Sequence, residues 1–173
     1  MDPDAYLCQL AEIFNGISVN TPSLSAIIAI ILAGLLLLAS GFASASEIAF
    51  FSLSPSDLND IEEGNHPSDG KISNLLADSE RLLATILITN NFVNVTIIML
   101  CNFFFMNVFV FHSPLAEFLI LTVILTFLLL LFGEIMPKIY SAQKTLAFCR
   151  FSAPVIYMLR KVFAPISAVL VHS

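Results

Sequence analysis

Three short clusters of oxygen-bearing residues interrupt long apolar runs: Ser40-Gly41-Phe42-Ala43-Ser44-Ala45-Ser46-Glu47, Thr89-Asn90-Asn91-Phe92-Val93-Asn94 and Gly133-Glu134-Ile135-Met136-Pro137-Lys138. Their side chains offer hydroxyls, carboxamides and carboxylates. Pro137 adds a backbone ligand. It has no N–H, so the carbonyl four residues earlier, that of Gly133, loses its helical partner. Such an all-oxygen set suits a hard cation. Ser44, Asn90, Asn94, Glu134 and the Gly133 carbonyl can supply most of a six-ligand shell, the number Mg²⁺ takes at about 2.0–2.1 Å. Na⁺ accepts similar oxygens, so ligand type does not separate the two ions.

Helical spacing narrows the set. Ser40, Ser44 and Glu47 share one face, and so do Asn90 and Asn94. Asn91 points about 100° away from that pair and is less suited to the same site. Ser40, Glu47, Asn91 and Lys138 are therefore expected around the site or on a coupling ion rather than among the ligands. Glu47 has three readings: an ion ligand, a protonated acid, or a hydrogen-bond partner of a neighbouring helix. Lys138 is expected to reach the headgroups. The competing reading is structural, because Ser, Asn and small residues also join transmembrane helices. Ala33, Gly34, Gly41, Ala43, Ala45 and Ala49 suit close packing, and packing is the commoner role for a single serine.

The elements that must position these residues follow from the apolar pattern. Of 173 residues, 58% are hydrophobic and 12% charged, where a soluble domain carries about a quarter charged. Apolar runs of more than about 18 residues place the chain in the membrane class. Residues 3–13 read as a short amphipathic helix. Thr21-Pro22 reads as the start of a first span reaching about Phe51. Ser54-Pro55-Ser56-Asp57 starts a short helix that Gly64 ends, and a further short helix covers about 71–78. A second span covers about 81–109, and a third runs from Ser113-Pro114 to Pro137. Arg160-Lys161, Pro154 and Pro165 argue against a fourth span over 150–173, which reads as one or two interfacial helices.

All seven Lys and Arg residues fall on one side of this arrangement. The positive-inside rule then puts the N-terminus outside and both the first loop and the C-terminus in the cytoplasm. The three polar clusters consequently meet at one depth, in the inner half of the bilayer. The domain plan is an extracytoplasmic segment at 1–20, a three-span domain at 21–140 with juxtamembrane helices at about 54–80, and an interfacial region at 141–173. Cys8, Cys101 and Cys149 are scattered, as are His66, His112 and His172, so neither a thiol-metal site nor a disulfide framework is expected. No nucleophile–base pair or cofactor motif marks an enzyme, and no nucleic-acid partner is expected.

At the clusters the chain resembles the transmembrane domain of the CorC/CNNM family of Mg²⁺ transporters. The family pattern includes Ser-Gly-Ser-Glu in the first span, Leu-Leu-Ala-Thr-Ile-Leu-Ile-Gly-Asn-Asn near the second and Gly-Glu-Ile-x-Pro-Lys at the end of the third. Here they read Ser44-Ala45-Ser46-Glu47, Leu82 through Asn94, and Gly133 through Lys138, over about residues 23–150. Ala45 and Thr89 stand where glycine is common. The resemblance implies an all-α integral membrane homodimer with three spans per protomer, juxtamembrane helices and a belt-like helix after span three, in the plasma or bacterial inner membrane. It implies that Ser44, Asn90, Asn94 and Glu134 match ion-binding positions. It also implies outward movement of Mg²⁺, with Na⁺ coupling proposed. A cytoplasmic pair of ATP-binding CBS domains is expected to follow such a domain and to lie outside these 173 residues. The expected function is Mg²⁺ export; the alternative is a membrane-anchored Mg²⁺ sensor that regulates another transporter.

Overall fold

The computed structural model of the chain describes residues 3–172. Helix α1 (Pro3–Asn15) leads to a two-residue strand, β1 (Ser18–Val19), and then to α2 (Leu24–Phe51). Two short helices follow, α3 (Pro55–Glu62) and α4 (Asp69–Leu76). Next come α5 (Ser79–Val108), β2 (Phe109–Val110) and α6 (Pro114–Leu128). A π-helical segment, Leu129–Ile135, joins α6 to α7 (Met136–Gln143). Helices α8 (Thr145–Val162) and α9 (Ala164–His172) complete the chain.

Three helical stretches are long and apolar enough to cross a membrane: Leu24–Phe51, Ser79–Val108 and Pro114–Gln143. The chain is an all-α membrane protein with the three spans expected. At 1.5 Å per residue each is about 42–45 Å long, against a hydrocarbon core of about 30 Å.

The ends of the elements follow local chemistry, and some differ from the expected ones. The first span begins after Ser23 rather than at Thr21-Pro22, because the Ser23 hydroxyl accepts the Ala26 N–H. Ser54 and Asp57 form a full capping box on α3. Gly64 follows α3 at φ +68°, a left-handed conformation that favours glycine. Helices α4 and α5 each start two residues before the expected positions. Asp78 caps α5 by accepting the Arg81 N–H. The third span does not stop at Pro137. The chain widens into the π register just before the proline, and the helix continues to Gln143.

Helices α2 and α5 form the central pair. The third span leans on α2 mainly through its π segment and α7. Only 11% of its apolar window is buried, against 33% for each of the other spans, so most of its apolar surface faces outward. At one end, Ser18 and Val19 pair antiparallel with Val110 and Phe109, tying the N-terminal segment to the connection between spans two and three. At the other end, α3, α4 and α8 form a platform. Ala49, Phe50, Ile72, Leu75, Leu82, Ile86, Cys149 and Ile156 make its core. A second apolar cluster, Ala33, Val93, Ile97, Cys101 and Leu125, packs the spans nearer the other end. Residues 145–162 form a single helix packed on α2, α4 and α5, and it is not one of the three stretches able to span.

The platform carries a buried ion pair between segments far apart in sequence. Arg150 donates from Nε to Asp69 Oδ1 at 2.8 Å and from Nη2 to Asp69 Oδ2 at 3.1 Å. The His66 N–H adds a third bond, at 2.9 Å, to Oδ2. Asp69 is only 1% exposed. The Arg150 hydrogen bonds hold its carboxyl below the ordinary carboxylate value of 3.8, outweighing the opposing effect of burial. Because the folded-state pKa is depressed, the pair stabilises the fold above the unfolded value and that contribution is lost as pH falls through the folded one. Arg150→Ala leaves the Asp69 carboxylate without its charged partner and should lower stability at neutral pH. Thermal unfolding in detergent checks this. The variant should be less stable than the parent at pH 7, and the gap should close on acidification below the ordinary carboxylate range.

Candidate functional site

Small residues on α2 bring the three spans together. Ser40, Gly41, Ala43, Ser44, Ala45 and Ser46 are all buried. Without bulky side chains, backbones in a membrane interior can approach closely. A Cβ built on Gly41 would lie 2.9 Å from Pro137 Cγ and 3.4 Å from the Phe132 carbonyl oxygen. A Cβ on Gly133 would lie 3.2 Å from Ser40 Oγ. Each glycine therefore admits the other helix: Gly41 the proline ring, and Gly133 the serine hydroxyl.

Ser40 is where all three spans meet. Its Oγ lies 2.8 Å from Asn90 Oδ1 and 2.7 Å from Asn94 Oδ1. A hydroxyl has one hydrogen, so it can donate to only one of these oxygens. The other contact is satisfied in one of two ways: that carboxamide turns its NH₂ toward Ser40, or a positive group sits among the oxygens. Asn90 and Asn94 are half-buried, whereas Asn91 is exposed on another face of α5, as the helical spacing predicts.

One turn along α2, the buried Ser44 hydroxyl has no hydrogen-bond partner among the described residues. Its neighbours behave differently. Ser46 donates to the Phe42 carbonyl, Thr85 to Arg81 and Thr89 to Thr85, each four residues back on its own helix. That local closure is the usual way for a helical hydroxyl to be satisfied. Ser40 instead turns across to α5, and Ser44 leaves an acceptor open.

On the third span, Met136 N–H donates to the Leu131 carbonyl, five residues back. Continued by one residue, that register would place the missing Pro137 N–H opposite Phe132. The π turn thus shifts the carbonyl orphaned by Pro137 from Gly133, as a regular α-helix predicts, to Phe132 beside Gly41. Gly133 is buried and Glu134 half-buried. The ion pairs among the described residues are Arg81–Asp78, Lys138–Glu47 and Arg150–Asp69, so Glu134 is in none of them. Lys138 does not extend alone toward the headgroups. Its Nζ lies 3.1 Å from Glu47 Oε2, joining α7 to α2.

The structure thus gathers Ser40, Asn90, Asn94 and Gly133 at one junction, with Ser44 one turn along on the same helix. It pairs Glu47 with Lys138 and turns Asn91 outward. Sequence reasoning missed the central place of Ser40. Its spacing of four from Ser44, matching the spacing of the asparagines, was the available signal. The shift to Phe132 and the Lys138–Glu47 pair had no signal in spacing alone.

A bundle of three apolar helices that meets at a buried oxygen cluster defines an integral membrane protein built around a polar interior site. Residues 30–173 match the cyclin M transmembrane N-terminal domain, so the chain belongs to the CNNM family. Over 130 residues it is also 32% identical to a protein of Haemophilus influenzae named UPF0053 protein. That alignment covers 75% of this chain and 30% of the relative, so the chain spans about a third of that protein's length.

The glycine contacts make a stability prediction. Gly41→Ala forces the Pro137 ring away and should cost about 1–3 kcal/mol through overpacking. Gly34→Ala, where an added methyl meets nothing within 4 Å, should be neutral or gain up to about 1 kcal/mol from helix propensity. Thermal unfolding of the purified protein in detergent measures both.

Proposed function

We propose that this chain is the membrane domain of a Mg²⁺ exporter coupled to Na⁺. The ligands are Ser44, Asn90, Asn94, Glu134 and one backbone carbonyl, that of Phe132, which the π turn leaves without its helical partner in place of Gly133. Ser40 holds the asparagines in place. Support comes first from the family, which is associated with metal transport. The observation that carries the reading is a cluster of polar groups at one junction. The carboxamides of Asn90 and Asn94 both lie within 2.8 Å of the buried Ser40 Oγ, and the buried Ser44 Oγ, one turn along the same helix, has no partner among the described residues. A buried acceptor left open costs about 1–3 kcal/mol, and a cation removes that cost.

The charges fit a transient guest. Lys138 neutralises Glu47, which leaves Glu134 as the cluster carboxylate in no ion pair among the described residues and so the one assigned to the dication. Mg²⁺ gives up its waters reluctantly. One carboxylate with neutral oxygens binds it without holding it so firmly that release fails. The seven basic residues lie on the platform, on its connections, or at the platform ends of the spans, which supports a cytoplasmic platform and an external N-terminus. The outward apolar flank of the third span, with Phe118, Val123 and Phe127 exposed, is suited to lipid or to the second copy of a homodimer.

Asn90→Ala, Asn94→Ala and Glu134→Ala should each weaken Mg²⁺ binding roughly tenfold or more, the scale found even for groups that only support metal ligands. Asn91→Ala should change it little. Calorimetric titration of the full-length protein measures this, and proteoliposomes under an imposed Na⁺ gradient measure flux. An Asn91→Ala effect exceeding the others overturns the site. Intact binding with no flux under any gradient replaces the exporter with the sensor.

A further inference from the structure

Behind the Ser40 junction, a groove of about 300 Å³ opens between α2, the third span and α8. Its walls include Leu37, Gly41, Ala45, Phe132 and Pro137, so its floor is the rear of the helix contact described above. A second hollow, of about 240 Å³, continues it. The two share Tyr140 and Phe148, and the second adds Lys144, Ala147 and Phe151. Three rings stiffen this wall: Phe42 and Phe148 lie 5.9 Å apart, Phe42 and Phe151 6.0 Å, and Phe148 and Phe151 6.1 Å.

The combined groove has an apolar end and a charged end. The apolar end lies alongside the middle of the spans. The other end reaches the α7–α8 junction, where Lys144 is the one charged side chain among the described lining residues. Lys144 is exposed and belongs to none of the ion pairs among the described residues. Water fills this end only at a cost, because its lining is almost entirely apolar. An amphiphile with one apolar chain and one negative headgroup matches both ends at once.

We propose that this groove is a binding site for one anionic phospholipid, with an acyl chain along Phe132 and Pro137 and the phosphate on Lys144. The site rests on groove shape and charge and does not depend on which ion the Ser40 junction takes.

The test is native mass spectrometry of the purified full-length protein equilibrated with equal amounts of phosphatidylglycerol and phosphatidylcholine. The parent should retain phosphatidylglycerol preferentially. Lys144→Gln, at an exposed position, should lower that preference about fivefold, the usual effect of one basic residue on an anionic headgroup. Ala147→Trp should fill the groove and abolish retention of both lipids. Leu38→Trp fills it from the other end and serves should Ala147→Trp fail to fold. Lys161→Gln, whose ammonium lies 4.8 Å from the Tyr157 ring centroid instead, should leave retention unchanged. Equal losses from Lys161→Gln and Lys144→Gln would mean diffuse attraction and overturn the site. Unchanged retention in both tryptophan variants would also overturn it. So would a tryptophan variant that dissociates a dimer without altering the lipid count, because a second copy then covers the groove.

Discussion

Two glycines at one helix crossing govern the interior of this protein. Gly41 lets the Pro137 ring seat on α2, and Gly133 lets the third span press against Ser40. Everything polar in the middle of the bundle is arranged by that approach. Ser40, held against the third span, turns its hydroxyl to Asn90 and Asn94 of α5. A methyl group at either glycine would push the helices apart by a few tenths of an ångström or more. Oxygen ligands for a small hard cation tolerate little such displacement.

The surroundings of this junction are apolar on two sides. One apolar cluster, around Ile97 and Leu125, lies on one side along the spans, and the platform core lies on the other. Within such a medium, charges and dipoles interact more strongly than in water, and an unmet acceptor costs more. The buried hydroxyls of Ser46, Thr85 and Thr89 avoid that cost by bonding to their own helices, and Ser40 avoids it by bonding across to α5. Ser44 does not. The π segment adds to the contrast, because it presents carbonyls that a regular helix would have occupied. A buried polar group left open is uncommon, and Ser44 is the feature on which the proposed ion site rests.

The platform works by a different principle. Helices α3 and α4 have eight residues each and would not be stable alone. They are held by apolar burial against α2 and α5 and by the Arg150–Asp69 pair. Together with the Lys138–Glu47 pair, this couples α2, α4, α7 and α8 into one body at the end of the spans that carries the basic residues.

Much of this was legible in the sequence, for reasons of length and period. Twenty or more apolar residues in a row have one stable form in a bilayer, so the three spans were set by hydropathy alone. The period of 3.6 put Asn90 with Asn94 and turned Asn91 away, as observed. The capping chemistry of Ser54 and Asp57 fixed the start of α3. Contacts between helices were not legible, because spacing along one helix says nothing about rotation against its neighbour. Only the assembled bundle decided that Ser40 lies at the crossing, that Lys138 pairs with Glu47 and that Asp69 meets Arg150 from 81 residues away. Only the assembled bundle decided how Pro137 is absorbed. A proline in an apolar run predicts a broken bond. Whether the helix stops, kinks or widens into a π turn depends on what packs against it, here a glycine on α2.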